Sequence, residues 1–256
     1  MDSTSRPIAF VIAVLLTVSM AACNRAKPAT IDPSAVYFPL RPSMMWVYKV
    51  NSKSQQQTYT VTDMVVGSQY VPALKLTGHV VQEFYNLNRA GLRPLVYVES
   101  EGYLTRLSGL DYVSDRITAP SWGRSIEEDF LPDHLAPDQA WSNKLFPYGE
   151  LPGGFEVDQQ HKTYFERGDV VVPAGRFAGC IRIETRARYV GGAYAAEKQN
   201  LTLAFVDWYA PNVGLVRTIA YQDDLGGSVM DTVELIRFNP GVKAAAAQPG
   251  SARKDS

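Results

Sequence analysis

The chain has 256 residues, with 25 Lys plus Arg against 26 Asp plus Glu and a formal net charge of -1. So even a balance excludes the basic footprint of a nucleic-acid binder. The 14 Tyr and 10 Phe, set among 19 Gly and 16 Pro, point to a turn-rich β domain and away from a helical bundle.

The first residues read as an export signal, residues 1–22. Arg6 supplies a positive charge that Asp2 offsets, and Ile8 to Val18 is an apolar run too short to span a bilayer comfortably. The run leads into "SMAAC", Ser19 to Cys23. This stretch resembles a bacterial lipobox, which implies that Cys23 is acylated and anchors the chain to a membrane without a spanning helix. Asn24 follows it where an aspartate would retain enterobacterial lipoproteins in the inner membrane. The resemblance therefore favours the outer membrane, facing the periplasm, if the source is Gram-negative. With Cys23 lipidated, only Cys180 is left, and an intramolecular disulfide is excluded. Residues 23–33 read as a tether, 34–240 as one β domain, and 241–256 as a disordered tail.

Period-two alternation dominates the domain. "MMWVYKV" places Trp46 and Tyr48 on one face of a first strand. "QTYTVTDMVV", "YVPALKL", "HVVQEFYNL", "LVYVES" and "GYLTRL" follow, the last two joined at Glu101 and Gly102. Asp111 to Gln159 departs from the pattern: it is proline-rich and reads as a long, partly ordered excursion from the sheet. Within it, Ser125 with Glu128 forms a capping-box spacing that predicts one helical turn, and "QAWSNKLF" predicts a short strand. Alternation resumes at "HKTYFERGDVVV", and Pro173 with Gly175 predicts a three-residue hairpin loop with a bulge. In the next strand Ile181, Ile183 and Ala187 share one face, while Arg182, Glu184, Arg186 and Arg188 share the other, solvated one. "LTLAFVDWYA", "LVRTIAYQ" and "DTVELIRF" complete the set. Between the first two, Pro211 and Asn212 suit a type I turn and Gly214 suits the left-handed return. The sum is an all-β fold. A long antiparallel meander must curl to avoid bare edges, giving a strongly curved sheet or open half-barrel with a Pro-rich excursion over a mouth or edge.

The chemistry-bearing residues are sparse. His79, His134 and His161 are isolated, and no metal, phosphate or dinucleotide motif is present, so neither a metal nor a cofactor is expected. "EEDFLPDH", Glu127 to His134, reads as a solvated helix start, and Cys180 as a small core residue. The aromatic residues are the main candidates. Trp46, Tyr48, Trp141, Trp208 and Tyr209, with Trp122, could line the inside of a curved sheet as a cavity for an apolar ligand or fill it as a core. Trp208 and Tyr209 point to opposite faces, so at most one lines any cavity.

Several pieces recur together: "YFPLRPSMMWVY", "LPDHLAPDQAW", "VVVPAGRFAGC", "WYAPNVGLVR" and a closing "ELIRF". The set resembles a group of bacterial envelope lipoproteins of unknown function, similar to the curved half-barrels of the carriers LolA and LolB. Pro42-Ser43 stands where that pattern has a glycine before the tryptophan. The resemblance implies no catalytic residues. It leads to a lipid-anchored, non-enzymatic envelope protein that binds an apolar ligand or a protein segment through its curved sheet. The alternative is a structural subunit of an envelope complex acting through its surface. A hydrolase built on Asp133, His134 or Cys180 ranks below both.

Overall fold

The computed structural model describes residues 35–71, 75–85, 93–108, 110–113, 116–118, 126–145, 156–191 and 202–241. Cys23, Trp122 and Ser125 lie outside them, as do the signal, the tether and all but the first residue of the tail. The described residues form strands and no helix. In chain order these are β1 (Met45–Ser52), β2 (Gln57–Val71), β3 (Leu76–Tyr85), β4 (Arg93–Ser100), β5 (Tyr103–Ser108), β6 (Asp111–Val113), β7 (Arg116–Thr118) and β8 (Ile126–Pro132). They continue with β9 (Ala140–Leu145), β10 (Glu156–Phe165), β11 (Val170–Val172), β12 (Gly175–Phe177), β13 (Ile181–Gly191), β14 (Thr202–Ala210), β15 (Gly214–Gln222) and β16 (Val229–Asn239).

Twelve strands make one antiparallel sheet in the order β8-β5-β4-β3-β2-β1-β16-β15-β14-β13-β10-β9. The first and last strands of the chain pair at its middle, with Trp46 opposite Phe238. A sheet this wide cannot stay flat. It curls until its two edges, β8 and β9, come into contact, and the result is an almost closed barrel.

The segment Asp111 to Gln159 leaves the main sheet only in part, at β6 and β7. It supplies both edge strands and the start of β10, and its β6–β7 ribbon covers the outer face of the sheet. There Leu110 and Ile117 bury Val80, Val96 and Leu107. The helical turn expected at Glu128 is a strand instead. The capping pattern is local, whereas extension lets Glu128 pair with Arg106 on β5, 22 positions away in sequence. A cross-strand charged pair outweighs a cap with no apolar helical face behind it.

The β11–β12 ribbon packs Val170 and Val172 into a core cluster with Cys180 and Val216. Val172 pairs directly with Gly175, so its turn has two residues, Pro173 and Ala174, rather than three. One hydrogen bond, from the Ala174 amide to the Leu235 carbonyl at 3.0 Å, ties the turn to the sheet.

Residues 35–44 form a strap across one end of the barrel. The Asn212 amide donates to the Val36 carbonyl at 2.8 Å, and the Tyr37 hydroxyl donates to the Gly179 carbonyl at 3.0 Å. Phe38 enters the barrel end, stacked on Trp46 and within 5.1 Å of the Tyr97 and Phe130 ring centres. "WYAPNVGLVR" is the clasp for this strap. Val213 N–H donates to the Ala210 carbonyl at 3.2 Å with Asn212 at φ 60°. A positive φ at the third turn position is type II geometry, not the type I expected, and Asn tolerates it. The Trp46 indole N–H donates to the Val213 carbonyl at 2.6 Å. Gly214 has φ 105°, and a Cβ there would lie 3.3 Å from Trp46 Nε1. Gly214→Val is expected to cost about 1–3 kcal/mol through backbone strain. The check is a urea midpoint that falls at unchanged slope. An unchanged midpoint would refute the turn geometry.

Candidate functional site

Strand parity decides which side chains face inward. On β1 these are Tyr48 and Val50, on β2 Val61 and Asp63, and on β14 Phe205, Asp207 and Tyr209. Tyr209 is 3% exposed and packs against Phe130 and Phe38. Trp208 faces outward: its indole N–H donates to Glu166 at 3.1 Å and the Arg217 guanidinium lies 5.6 Å from the ring centre. That outer face carries an alternating charge pattern, with Arg182 bridging Glu184 at 3.0 Å and Arg217 near Glu234 at 3.6 Å.

The inward side chains leave a cavity of about 390 Å³. Its apolar wall includes Tyr48, Val50, Phe130, Ile183, Phe205 and Val233. Of the aromatic residues expected to line it, Tyr48, Trp141 and Tyr209 do so; Trp46 lies in the core at the strap end, and Trp208 is outside. The other wall is ionisable, which the aromatic pattern did not disclose: Asp63, Glu83, Arg106, Glu128 and Asp207 all border the same space. Parity carried the signal for two of them. Asp63 shares a face with Val61, and Asp207 sits between Phe205 and Tyr209 on theirs.

Arg106 forms an ion pair with Glu128, and its guanidinium lies 4.8 Å from the Phe130 ring centre. Its side chain keeps 32% of its surface accessible while lining the barrel interior, so the surface it keeps faces the cavity. Burial opposes the Arg106 charge, but Glu128 and Tyr97 more than restore it and hold the guanidinium fully protonated. Burial, reinforced by Glu83 and opposed by Arg106, pushes the Asp63 carboxyl up to about 7. Asp207 is pushed up to about 6, again by burial, although the Thr218 hydroxyl donates to it at 2.6 Å. Burial also raises the Tyr48, Tyr97 and Tyr209 hydroxyls, so all three remain neutral donors.

The Asp63 shift has a definite sign. An unfolded aspartate titrates near 3.8, so between 3.8 and about 7 the native state holds a proton that the unfolded chain has lost. The stability from this group is complete below that window and is lost as pH rises through it. His161, lowered by burial to about 4, acts in the opposite sense between its folded value and 6.5. Asp63→Asn is therefore expected to raise the unfolding midpoint at about pH 8 and to remove the Asp63-linked decline between about pH 4 and 7. Parallel profiles for parent and variant would show that Asp63 ionises normally.

The seam between β8 and β9 is closed by side chains. Trp141 Nε1–H and Asn143 Nδ2–H both donate to the Asp129 carbonyl, at 3.2 and 3.3 Å. The Asn143 amide oxygen, which only accepts, faces His161 Nε2 at 3.3 Å. Nε2 therefore carries the proton, and Nδ1 accepts from the Thr185 hydroxyl at 2.8 Å. His161 stacks on Trp141 with ring centres 4.7 Å apart. The chain Thr185–His161–Asn143–Asp129 thus spans β13, β10, β9 and β8, and completes the barrel where the backbone ladder stops.

The remaining sequence candidates are not brought together as a reaction centre. Cys180 is fully buried, its thiol donates to the Phe177 carbonyl at 3.5 Å, and burial together with Glu166 pushes it up to about 12. That is the reverse of what a nucleophilic thiol requires. Asp133 and His134 are exposed in the connection after β8. Among the described residues, no three His, Cys, Asp or Glu side chains are grouped as a metal ion would need.

Fold and site together define a nearly closed, twelve-stranded antiparallel β-barrel with an internal cavity of mixed polarity. No protein-family model matches the chain, and no curated protein matches it. Among solved structures it is similar to a candidate lipoprotein of Parabacteroides distasonis, at 16% identity and a TM-score of 0.49. It is also similar to a candidate exported protein with a YmcC-like fold from Bacteroides fragilis, at 15% identity and a TM-score of 0.49. Each match covers 80% of this chain and 99% of the other.

Proposed function

We propose that this is a non-enzymatic, lipid-anchored protein of the bacterial cell envelope that encloses a ligand with an apolar body inside its β-barrel. The observation that carries the reading is the internal cavity, about 390 Å³ and walled by aromatic and aliphatic side chains. Its size falls within the roughly 300–1,000 Å³ of small-molecule sites. The anchor rests on "SMAAC" and the apolar run before it, which give residues 1–22 as signal and Cys23 as the acylated first residue of the mature chain. Asn24 favours the outer membrane. In this layout residues 23–33 tether the β domain of residues 34–240.

Cys23→Ala in the full chain is expected to move the protein from the membrane fraction to the soluble fraction. Retention in the membrane with the signal cleaved would refute the anchor. Native mass spectrometry of the same variant is expected to show a bound mass, or uptake of the neutral apolar dye Nile red. The bare chain mass with no uptake would refute the ligand function.

A further inference from the structure

The polar side of the cavity has more negative than positive character. Four carboxylates line it, those of Asp63, Glu83, Glu128 and Asp207, against one guanidinium, that of Arg106. Arg106 is committed to Glu128. His161 is a neutral imidazole with both nitrogens engaged. Asp207 has the Thr218 hydroxyl, but the Asp63 Oδ1 and Gln159 Oε1 acceptors have no hydrogen-bond donor, and the Arg106 Nε donor on the same wall has no acceptor. Unpartnered buried acceptors beside an unbalanced negative charge are costly in a low-dielectric interior. The cavity itself offers the room for what would satisfy them.

Building on the proposed enclosed-ligand function, the geometry points to an amphiphile with a protonated amine head, seated by Asp63, Glu83 and Asp207 with its hydrocarbon against Tyr48, Phe130, Phe205 and Val233. An ammonium group donates up to three hydrogen bonds and accepts none, which matches the unpartnered Asp63 and Gln159 acceptors. Its charge offsets the carboxylates, and the neighbouring tyrosine rings favour a cation over their faces. A carboxylate or phosphate head would find the free Arg106 Nε donor but would stand beside the carboxylates of Asp63 and Glu83. An alcohol head would satisfy one acceptor and leave the charge in place.

The test uses the full chain carrying Cys23→Ala, loaded with Nile red and titrated at neutral pH with decylamine, decanol or decanoate below their aggregation concentrations. The three share one hydrocarbon and differ only in the head. Decylamine is expected to displace the dye at a concentration lower than decanol by about tenfold or more, with decanoate weakest. Asp63→Asn is expected to shrink the amine-to-alcohol ratio below about threefold. Glu184→Gln, on the outer face, is the control and should leave the ratio unchanged. Dye uptake with equal or better competition by decanol or decanoate would overturn the head-group assignment alone, as would an Asp63→Asn protein with the full ratio. No dye uptake, with no amine complex in native mass spectrometry, would overturn the enclosed-ligand function and this inference with it.

Discussion

Arg106→Ala is expected to lower stability by about 3–5 kcal/mol, the range for removing one partner of a desolvated ion pair. Glu128, 10% exposed at its side chain, would be left as an unpaired charge facing Asp63 and Asp207 across the cavity. Phe130 would lose the guanidinium that lies over its ring. Replacing both partners, as Arg106→Met with Glu128→Leu, is expected to be near neutral or stabilising, because it removes the charges together with their desolvation cost. Urea midpoints of the parent, the single variant and the double variant form the test. A single-variant loss below about 1 kcal/mol would place the pair in the range of exposed, weakly contributing bridges.

Trp46→Ala is the second large effect, at about 3–5 kcal/mol for a buried aromatic. Trp46 is 2% exposed and joins three parts of the fold. Its ring stacks on Phe38 of the strap and contacts Phe238 of β16, and its N–H holds the Val213 carbonyl of the clasp. Trp46→Phe keeps most of the packing and removes the donor, so about 1–3 kcal/mol should remain as the cost of an orphaned carbonyl. For a domain of this size, each kcal/mol corresponds to about 2–4 °C in Tm. The alanine variant should also become protease-sensitive between Val36 and Met44. An alanine variant that melts with the parent would show that strap and barrel are independent.

These residues show where sequence reasoning reaches and where it stops. Alternating Thr, Val and Tyr made the strands legible, and the shared face of Trp46 and Tyr48 followed from β1 alone. The closure did not, because β8 and β9 meet through partners far apart in the chain: Trp141 finds the Asp129 carbonyl only once ten other strands are in register. The strand at "QAWSNKLF" was legible and is β9, but its place at the edge was not; β8 was hidden because a local capping signal at Glu128 outweighed an ion pair that no local pattern could show. Deleting Asp111 to Gln159 would remove both edges of the barrel. The inner acids were readable only in part. Strand parity placed Asp63 with Val61, but bulges at Val65/Gly67 and at Leu104/Thr105 shift the parity downstream. Trp208 and Tyr209 were known to face apart. Which of them faced inward waited on the cross-strand pairing of Tyr209 with Leu215.

The strap gives the barrel a direction. Residue 35 enters at the clasped end, and Gly241 leaves beside it, so close that a Cβ on Gly241 would lie 2.6 Å from the Pro42 carbonyl oxygen. β3, β9 and β13 end, and β4, β10 and β14 begin, at the opposite rim, as the alternating strand directions require. A leash from Cys23 to the strap is at most about 40 Å long when fully extended. With Cys23 acylated, the stoppered end would be the one moored nearest the bilayer. A ligand of the proposed kind would then enter from the aqueous side, over the distal rim, and not straight up from the lipid beneath.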